Sequence, residues 1–290
     1  MRSELPICVS SVDMPEKLSA LARLFADDTA VYKTISNGHN QAQLQEDLQR
    51  LADWEESRDM EFHPAKCQTL SITRSRKPLQ PSYVLYGHTL ENVSSAKYLG
   101  VTINNTVSWD DHISNTCSKA NRALGFLRRN LKISASNIKE KAYKVFVRPL
   151  LEYAASVWDP YSQKNIAKIE AVQRRAARFV LNRFRNTSSV NNMLEALGWP
   201  TLEQRRQTCR LLMLYKIQNG LAHCPTLKAK LVPLPSRQRR TRDKQFTLLT
   251  TRTQCRGTSI LPETIMDWNS LPMEVVEAST LDVFVSGVSN

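Results

Sequence analysis

The spacing of apolar residues changes near Trp109, and this change constrains the fold more than any other feature of the chain. Before that point, short apolar segments alternate with polar residues as in β-strands, apart from a stretch at 41–58 where leucines recur at helical spacing. Beyond it, apolar residues recur every three or four positions, as on the buried face of a helix. The sequence therefore predicts an α+β protein, with strands and one helix first and a helical block second.

The same patterns predict the individual elements. Strands are predicted at 68–73, at 83–86 before a turn, and at 97–104. A helix is predicted over 111–130, and its apolar face consists of Ile113, Cys117, Ala120, Leu124 and Leu127. The next helix presents Ile138, Ala142, Val145 and Phe146 and is interrupted near Pro149. Further helices are predicted over 166–180 and 211–217, and a small helical tail over 261–285.

Two adjacent aspartates, Asp27 and Asp28, stand between two short segments of strand-like composition, 24–26 and 30–32. Aspartate favours turns because its side chain can bond its own backbone, so the pattern predicts a β-hairpin with both carboxylates at its tip. Two such close charges raise each other's pKa unless a cation lies between them, and a divalent metal suits that position. The alternative is an ordinary solvated turn.

Positive charge is concentrated in the second half of the chain. The net charge of the whole chain is +13, but residues 1–110 carry −3 and residues 111–290 carry +16. Clustered arginines recur at helical spacing in the most basic part: Arg128, Arg129, Arg174, Arg175, Arg178, Arg183 and Arg185. Such a stripe would neutralise nucleic-acid phosphates without reading sequence. The alternative is a solvated basic face that improves solubility.

The cysteines and the hydropathy pattern restrict the class of protein further. Six cysteines are scattered without the close pairing of a zinc site, which favours buried thiols in a reducing, intracellular compartment such as the cytoplasm or nucleus. No apolar run approaches the roughly 20 residues that a membrane span needs. The first 12 residues lack the apolar core of a signal peptide. We therefore expect no membrane partner, and the oligomeric state stays open.

Five segments occur in a characteristic order along the chain. They are Leu24-Phe25-Ala26-Asp27-Asp28-Thr29, Met60-Glu61-Phe62-His63-Pro64-Ala65-Lys66-Cys67, Lys97-Tyr98-Leu99-Gly100-Val101, Trp109-Asp110-Asp111-His112-Ile113 and Trp268-Asn269-Ser270-Leu271-Pro272. In this order they resemble the third, fourth and fifth motifs, the thumb-side segment and a near-terminal pattern of the reverse transcriptases of non-LTR retrotransposons, the jockey-like LINE elements. The resemblance covers most of the chain.

The resemblance implies an RNA-directed DNA polymerase that works by two-metal nucleotidyl transfer on an RNA template and a DNA primer. Asp27 would be the main Mg²⁺ ligand and Asp28 its supporting neighbour. Lys66 matches the lysine of the fourth motif, which neutralises or protonates the leaving pyrophosphate; the alternative is an ordinary surface lysine. Tyr98 and Gly100 would shape the primer grip, and here the alternative is a β-turn with a packed tyrosine.

The resemblance and the composition together predict four regions. Residues 1–108 would be a partial polymerase palm, and residues 109–222 a helical thumb and connector. Residues 223–258 are basic and proline-containing, which predicts a mobile linker. This linker is either a plain solvated loop or a nucleic-acid-binding arm. Residues 259–290 would form the C-terminal helical tail.

Two motifs of these polymerases lie upstream of the aspartate pair, and we do not find them in this chain. One supplies a third carboxylate, and the other contains glycine. The 26 residues before Asp27 contain no glycine, and their acids are Glu4, Asp13 and Glu16. We therefore expect a fragment that needs the missing upstream portion and does not polymerise alone. The alternatives are a non-catalytic, basic nucleic-acid-binding module and the product of a decayed retroelement.

Overall fold

The computed structural model describes residues 18–25, 28–56, 63–73, 75, 79, 81–184, 189–234, 245–248 and 260–289. The chain forms two compact units, residues 1–112 and residues 113–290. It is a mixed α and β protein, 57% helical, with small sheets of two strands among the described residues. The prediction of both helix and strand is therefore confirmed, and the strands lie in the first unit as predicted.

The first unit begins with the predicted β-hairpin. Strands β1 (Leu21–Phe25) and β2 (Asp28–Tyr32) pair antiparallel, and Phe25 lies opposite Asp28. Helix α1 (Gly38–Glu56) follows and begins three residues before the predicted 41–58. Its Leu51 and Trp54 pack with Val31 of the hairpin, so the helix covers one face of β1 and β2.

Asp47 of α1 connects the helix to the start of the hairpin. Its buried carboxylate accepts hydrogen bonds from the backbone N–H of Ser19 (3.0 Å), the hydroxyl of Ser19 (2.7 Å) and the N–H of Ala20 (2.8 Å). Burial alone would raise the pKa of Asp47, but these hydrogen bonds outweigh it and lower the pKa below its usual value. The carboxylate therefore stays ionised and anchors the hairpin.

One short hairpin and one parallel strand pair follow α1 in this unit. Strands β4 (Val84–Leu85) and β5 (His88–Thr89) pair antiparallel, while β3 (Gln68–Thr69) and β6 (Glu91–Asn92) pair parallel. The predicted strand at 68–73 is thus limited to its first two residues. Tyr83, Leu85 and Leu90 form a small core with Ala52 of α1.

The pattern at 97–104 predicted one strand, and this prediction was wrong. The segment belongs to a hairpin of β7 (Ser95–Tyr98) and β8 (Val101–Asn104), with Tyr98 opposite Val101. Leu99 and Gly100 form the turn at φ +46° and +82°. Positive φ at both turn residues matches the twist of a hairpin, which explains why the chain reverses here.

The second unit is helical among its described residues. Its helices are α2 (Asp110–Asn130, which begins in the first unit), α3 (Ser136–Phe146), α4 (Arg148–Glu152), α5 (Ala155–Trp158), α6 (Gln163–Leu181), α7 (Val190–Ala196), α8 (Leu202–Gln218), α9 (Pro225–Lys228), α10 (Ile260–Ser270), α11 (Met273–Val276) and α12 (Leu281–Ser289). The predicted apolar faces of α2 and α6 are buried, as expected from their spacing.

The predicted apolar face of α3 is wrong. Val145 is 62% exposed, and Ile138 and Phe146 are also exposed, whereas Lys139 and Tyr143 are buried. Tyr143 stacks on Trp199 at a centroid distance of 4.5 Å. A stacked aromatic pair contributes more than a single aliphatic contact, which gives a physical reason for the orientation of the helix.

The C-terminal helices share one core with α8. Phe284 stacks between two other rings, with its centroid 4.4 Å from that of Tyr215 and 5.6 Å from that of Trp268. Leu231 and Phe246 of the predicted linker 223–258 are buried in the same core. Residues 235–244 and 249–258 of that linker lie outside the described residues. No described helix is both long and apolar enough to cross a bilayer.

Candidate functional sites

Asp28 lies at the end of the first hairpin, where sequence reasoning placed it. It is exposed and pairs across the sheet with Phe25, so only residues 26 and 27 separate the two strands. Asp27 itself lies outside the described residues. Three large apolar side chains, Leu21, Phe25 and Tyr32, are exposed on one face of the hairpin, and Phe25 is 64% exposed. Arg23 lies on the same face, with its guanidinium 5.9 Å from the ring centroid of Tyr32.

The described residues do not by themselves complete a site for magnesium. Among them, no three histidine, cysteine, aspartate or glutamate side chains are grouped closely enough to hold a metal ion. Asp28 offers one carboxylate at an accessible position, whereas Mg²⁺ sites draw their ligands from several oxygen groups. The reverse transcriptases that the chain resembles imply a divalent metal in general, and a site at this hairpin would need oxygen groups besides Asp28.

Lys66 and the proposed primer-grip residues are exposed to different degrees. Lys66 ends a 3₁₀ turn, Pro64–Lys66, and its side chain is exposed. In the described part of the chain, no ion pair or hydrogen bond connects Lys66 to Asp28. Tyr98 is half-buried at the end of β7, and Gly100 supplies a turn residue with positive φ. This geometry fits a tight β-turn, the alternative that the local sequence allowed.

Most arginines of the predicted basic stripe lie on two neighbouring helices, α2 and α6. Lys168 of α6 donates to the hydroxyl of Ser114 on α2 (2.6 Å), and Arg175 donates to the side chain of Asn121 (2.9 Å). The contacts advance by seven residues on both helices, so α2 and α6 run parallel. Beyond them, the Arg128 guanidinium lies 5.5 Å from the ring centroid of Phe184.

This pairing brings the predicted arginines together on the exposed sides of α2 and α6, which we call the α2–α6 face. It comprises Arg128, Arg129, Arg174, Arg175 and Arg178, together with Arg183 just after α6. Arg178 is half-buried and the others are exposed. Arg185 lies outside the described residues. Over the described chain, no carboxylate lies within 4 Å of any of these guanidinium groups, so their charge is not neutralised internally.

Unlike the arginines of the α2–α6 face, the arginines of α8 form ion pairs within the protein. Arg205 pairs with Glu152, Arg206 with Asp159, and Arg210 with Asp159 and Asp267. Arg206 and Arg210 are buried, and burial lowers the pKa of Arg206. These residues are structural. The partners lie 47 to 57 residues away in sequence, so composition alone could not separate them from the arginines of the face.

Sequence reasoning missed three residues near the ends of α2 and α6. Lys132, Lys139 and Phe184 line a cavity with Arg128 and Arg129. Lys139 has no sequence signal, because it lies on the side of α3 that the apolar pattern assigned to solvent. Phe184 did have a sequence signal, because an aromatic residue between two arginines is typical of nucleic-acid-binding segments.

The hairpin thus offers an exposed aspartate, and the α2–α6 face offers a group of arginines without an ion-pair partner among the described residues. Comparison with known proteins finds RNA-directed DNA polymerases of mobile elements. The chain is 29% identical over 187 residues to the "Probable RNA-directed DNA polymerase from transposon BS" of Drosophila melanogaster. It is 25% identical over 183 residues to the corresponding protein of transposon X-element, and 26% identical over 181 residues to that of mobile element jockey, both from the same species. The predicted resemblance to the polymerases of jockey-like elements is confirmed.

These relatives are much longer than the chain. The matched segments cover about 60% of this chain but 20% of the transposon BS and X-element proteins and 19% of the jockey protein. No protein-family profile and no solved structure matches the chain. The comparison therefore concerns one segment of each polymerase.

Proposed function

We propose that this chain is a fragment of the reverse transcriptase of a mobile element, with part of the palm in the first unit and the thumb in the second. The observation that carries this proposal is the β1–β2 hairpin. Only two residues separate Phe25 at the end of β1 from Asp28 at the start of β2. The similarity to RNA-directed DNA polymerases supports it. The substrates would be an RNA template and a DNA primer.

In this proposal Asp27 and Asp28 are two ligands of a magnesium site. When bound there, the metal would supply charge stabilisation for the transferred phosphoryl group. Lys66, exposed on its 3₁₀ turn, would neutralise the leaving pyrophosphate. Tyr98 and Gly100 would hold the primer through the tight turn of the β7–β8 hairpin.

The exposed apolar face of the first hairpin supports a need for further polymerase sequence. Leu21, Phe25 and Tyr32 form the apolar part of this face, which also carries Arg23 and Asp28, and the sheet has two strands among the described residues. An apolar face and unpaired strand edges favour association with another strand. In the intact polymerase, the upstream portion would cover this face and bring the third carboxylate next to Asp28.

Primer extension tests the proposal. The chain would be assayed alone and together with the upstream polymerase portion of one of the relatives, on a primed RNA template with Mg²⁺. We expect extension only in the combined sample, and its loss on Asp27→Asn or Asp28→Asn. Asp53→Asn is the matched control, since Asp53 is an exposed aspartate on α1. Extension by the 290 residues alone, or extension that survives both hairpin substitutions, would contradict the proposal.

A second candidate function is nucleic-acid binding without catalysis, and the unpaired charge of the α2–α6 face favours it. Each phosphate contact contributes about 0.9 to the salt slope of duplex binding. Arg174→Glu with Arg175→Glu should therefore lower that slope by roughly two. Lys228→Glu with Lys230→Glu changes the same number of exposed charges at and just after α9 and should leave the slope nearly unchanged. Equal effects of the two double variants would show that the face has no special role.

The two candidate functions differ in their dependence on the hairpin. A purely binding module should bind nucleic acid equally well with Asp27→Asn. It should also fail to extend a primer when combined with the upstream portion. Salt-dependent binding without any extension in the combined sample would therefore favour the second function.

A further inference from the structure

A basic cleft lies where α2 and α6 end and α3 begins. It has a volume of about 440 Å³, within the range of roughly 300 to 1,000 Å³ that small-ligand pockets occupy. The side chains that define it are Arg128, Arg129, Lys132, Lys139, Phe179 and Phe184. Four are cations and two are aromatic rings, so the cleft combines positive charge with an apolar surface.

Among the residues that the structure describes, the positive charge of the cleft has no ion-pair partner. Arg128, Arg129 and Lys132 are exposed, and none of them pairs with a carboxylate of the described chain. Lys139 is 1% exposed, and its Nζ donates to the carbonyl of Lys132 (3.2 Å) and the side-chain oxygen of Asn182 (2.8 Å). Buried lysines are normally paired with an acid, and this one has neutral partners instead. The cleft is therefore built to attract an anion.

The aromatic rings differ in accessibility. Phe179 is buried, and the Nζ of Lys139 lies 5.3 Å from its centroid. Phe184 is 53% exposed, and the guanidinium of Arg128 lies 5.5 Å from its centroid. An exposed ring next to a planar guanidinium offers a stacking surface for a second planar group. A simple anion such as phosphate would not use this surface.

We propose that the cleft binds one unpaired nucleotide of a single-stranded nucleic acid. The base stacks on Phe184 beside Arg128, and the flanking phosphates contact Arg129 and Lys132. Lys139 contributes charge from within the wall without direct contact. The inference rests on the proposed nucleic-acid function of the α2–α6 face and adds a preference for single strands, because bases stacked within a duplex do not offer a free face to an aromatic side chain.

Fluorescence anisotropy with a labelled 12-nucleotide single strand tests this inference on the full chain. Phe184→Ala should weaken binding by roughly 5- to 150-fold, the range for loss of one base–aromatic stack. Phe126→Ala is the matched control, since Phe126 is an exposed phenylalanine of α2 that does not line the cleft. Circular dichroism would verify that both variants keep their helical content.

An abasic strand of the same length separates stacking from charge. Wild type and Phe184→Ala should bind it equally, because the ring then has no base to contact. Arg129→Ala or Lys132→Ala should lower the single-strand salt slope by about 0.7 each, while Phe184→Ala leaves the slope unchanged. A duplex of the same sequence should be insensitive to Phe184→Ala.

Equal weakening by Phe184→Ala and Phe126→Ala would overturn the inference. Equal weakening on the abasic strand, or an effect of Phe184→Ala confined to the duplex, would also overturn it. If Arg174→Glu with Arg175→Glu abolishes binding while Phe184→Ala has no effect, the α2–α6 face binds nucleic acid and the cleft does not take a base. Absence of binding by the wild type even at low salt would overturn both proposals together.

Discussion

Asp159 holds two buried arginines of the second unit, and its substitution should destabilise that unit strongly. Its carboxylate is 5% exposed, accepts from Nε of Arg206 at 2.6 Å and pairs with Arg210. Arg206 has no other carboxylate within 4 Å in the described chain, whereas Arg210 also contacts Asp267 at 2.8 Å. Asp159→Asn would therefore leave the buried guanidinium of Arg206 without a directly paired carboxylate.

The expected loss follows from this burial. Removing one partner of a buried ion pair costs about 3 to 5 kcal/mol. For the second unit, residues 113–290, the entropy of unfolding is roughly 0.37 kcal/mol per kelvin. Asp159→Asn should therefore lower the Tm of this unit by about 8 to 13 °C. The loss should depend little on salt, because buried pairs are weakly screened.

Differential scanning calorimetry at pH 7 would measure the shift. Glu46→Gln is the control, since Glu46 forms an exposed pair with Arg50 at 3.9 Å and should contribute less than about 1 kcal/mol. Arg206→Met in the Asp159→Asn background removes the unpaired charge and should restore part of the loss. A shift below about 3 °C, or a double variant less stable than the single one, would refute the account of a buried, paired charge.

Three further predictions concern other parts of the chain. Asp47→Asn should cost about 1.5 to 3 kcal/mol at pH 7 by denaturant titration. Folding lowers the pKa of Asp47, so the stability difference between wild type and Asp47→Asn should be complete above the ordinary carboxyl pKa of about 3.9. It should disappear as the pH falls through the lower pKa of the folded state. A stability difference that stays constant with pH would contradict this prediction. Gly100→Ala should destabilise the fold by about 1 to 2 kcal/mol, because φ at this residue is +82°. Gly38→Ala should not destabilise the fold, because there is open space where its Cβ would lie. Thermal unfolding would compare the two variants. Phe246→Ala should cost about 3 to 5 kcal/mol and expose the neighbouring segment to limited proteolysis, and unchanged melting would refute its place in the core.

The sequence predicted the elements whose signals are local. The helix over 111–130 and the hairpin before Tyr32 were both correctly placed, because periodic apolar spacing and turn residues act over a few neighbouring positions. The turn at Leu99 and Gly100 was predicted only as the alternative to a primer grip, since the apolar residues on both sides match the pattern of one continuous strand. A single glycine was the only local sign that the chain reverses there.

Long-range contacts explain the wrong apolar face predicted for α3 and the burial of Phe246 within the proposed linker. Tyr143 faces the interior because it meets Trp199, a residue 56 positions away, and no local pattern contains that partner. Phe246 follows a basic, proline-containing stretch, yet it packs near Trp268 with ring centroids 6.0 Å apart. Burial in both cases depends on a residue that is distant in sequence.

By itself, the sequence determined which kinds of residue this protein offers for function. It placed an aspartate pair at a hairpin and concentrated positive charge in the helical half, and both follow from composition and local spacing. Only the tertiary structure decided which cations are available to a partner. Arg206 is neutralised by Asp159 within the core, while Arg128 and Arg129 have no described acid nearby and line a cleft with Phe184. The physical reason is that a charge becomes structural or functional according to its neighbours in space, and those neighbours come from helices far apart in the chain.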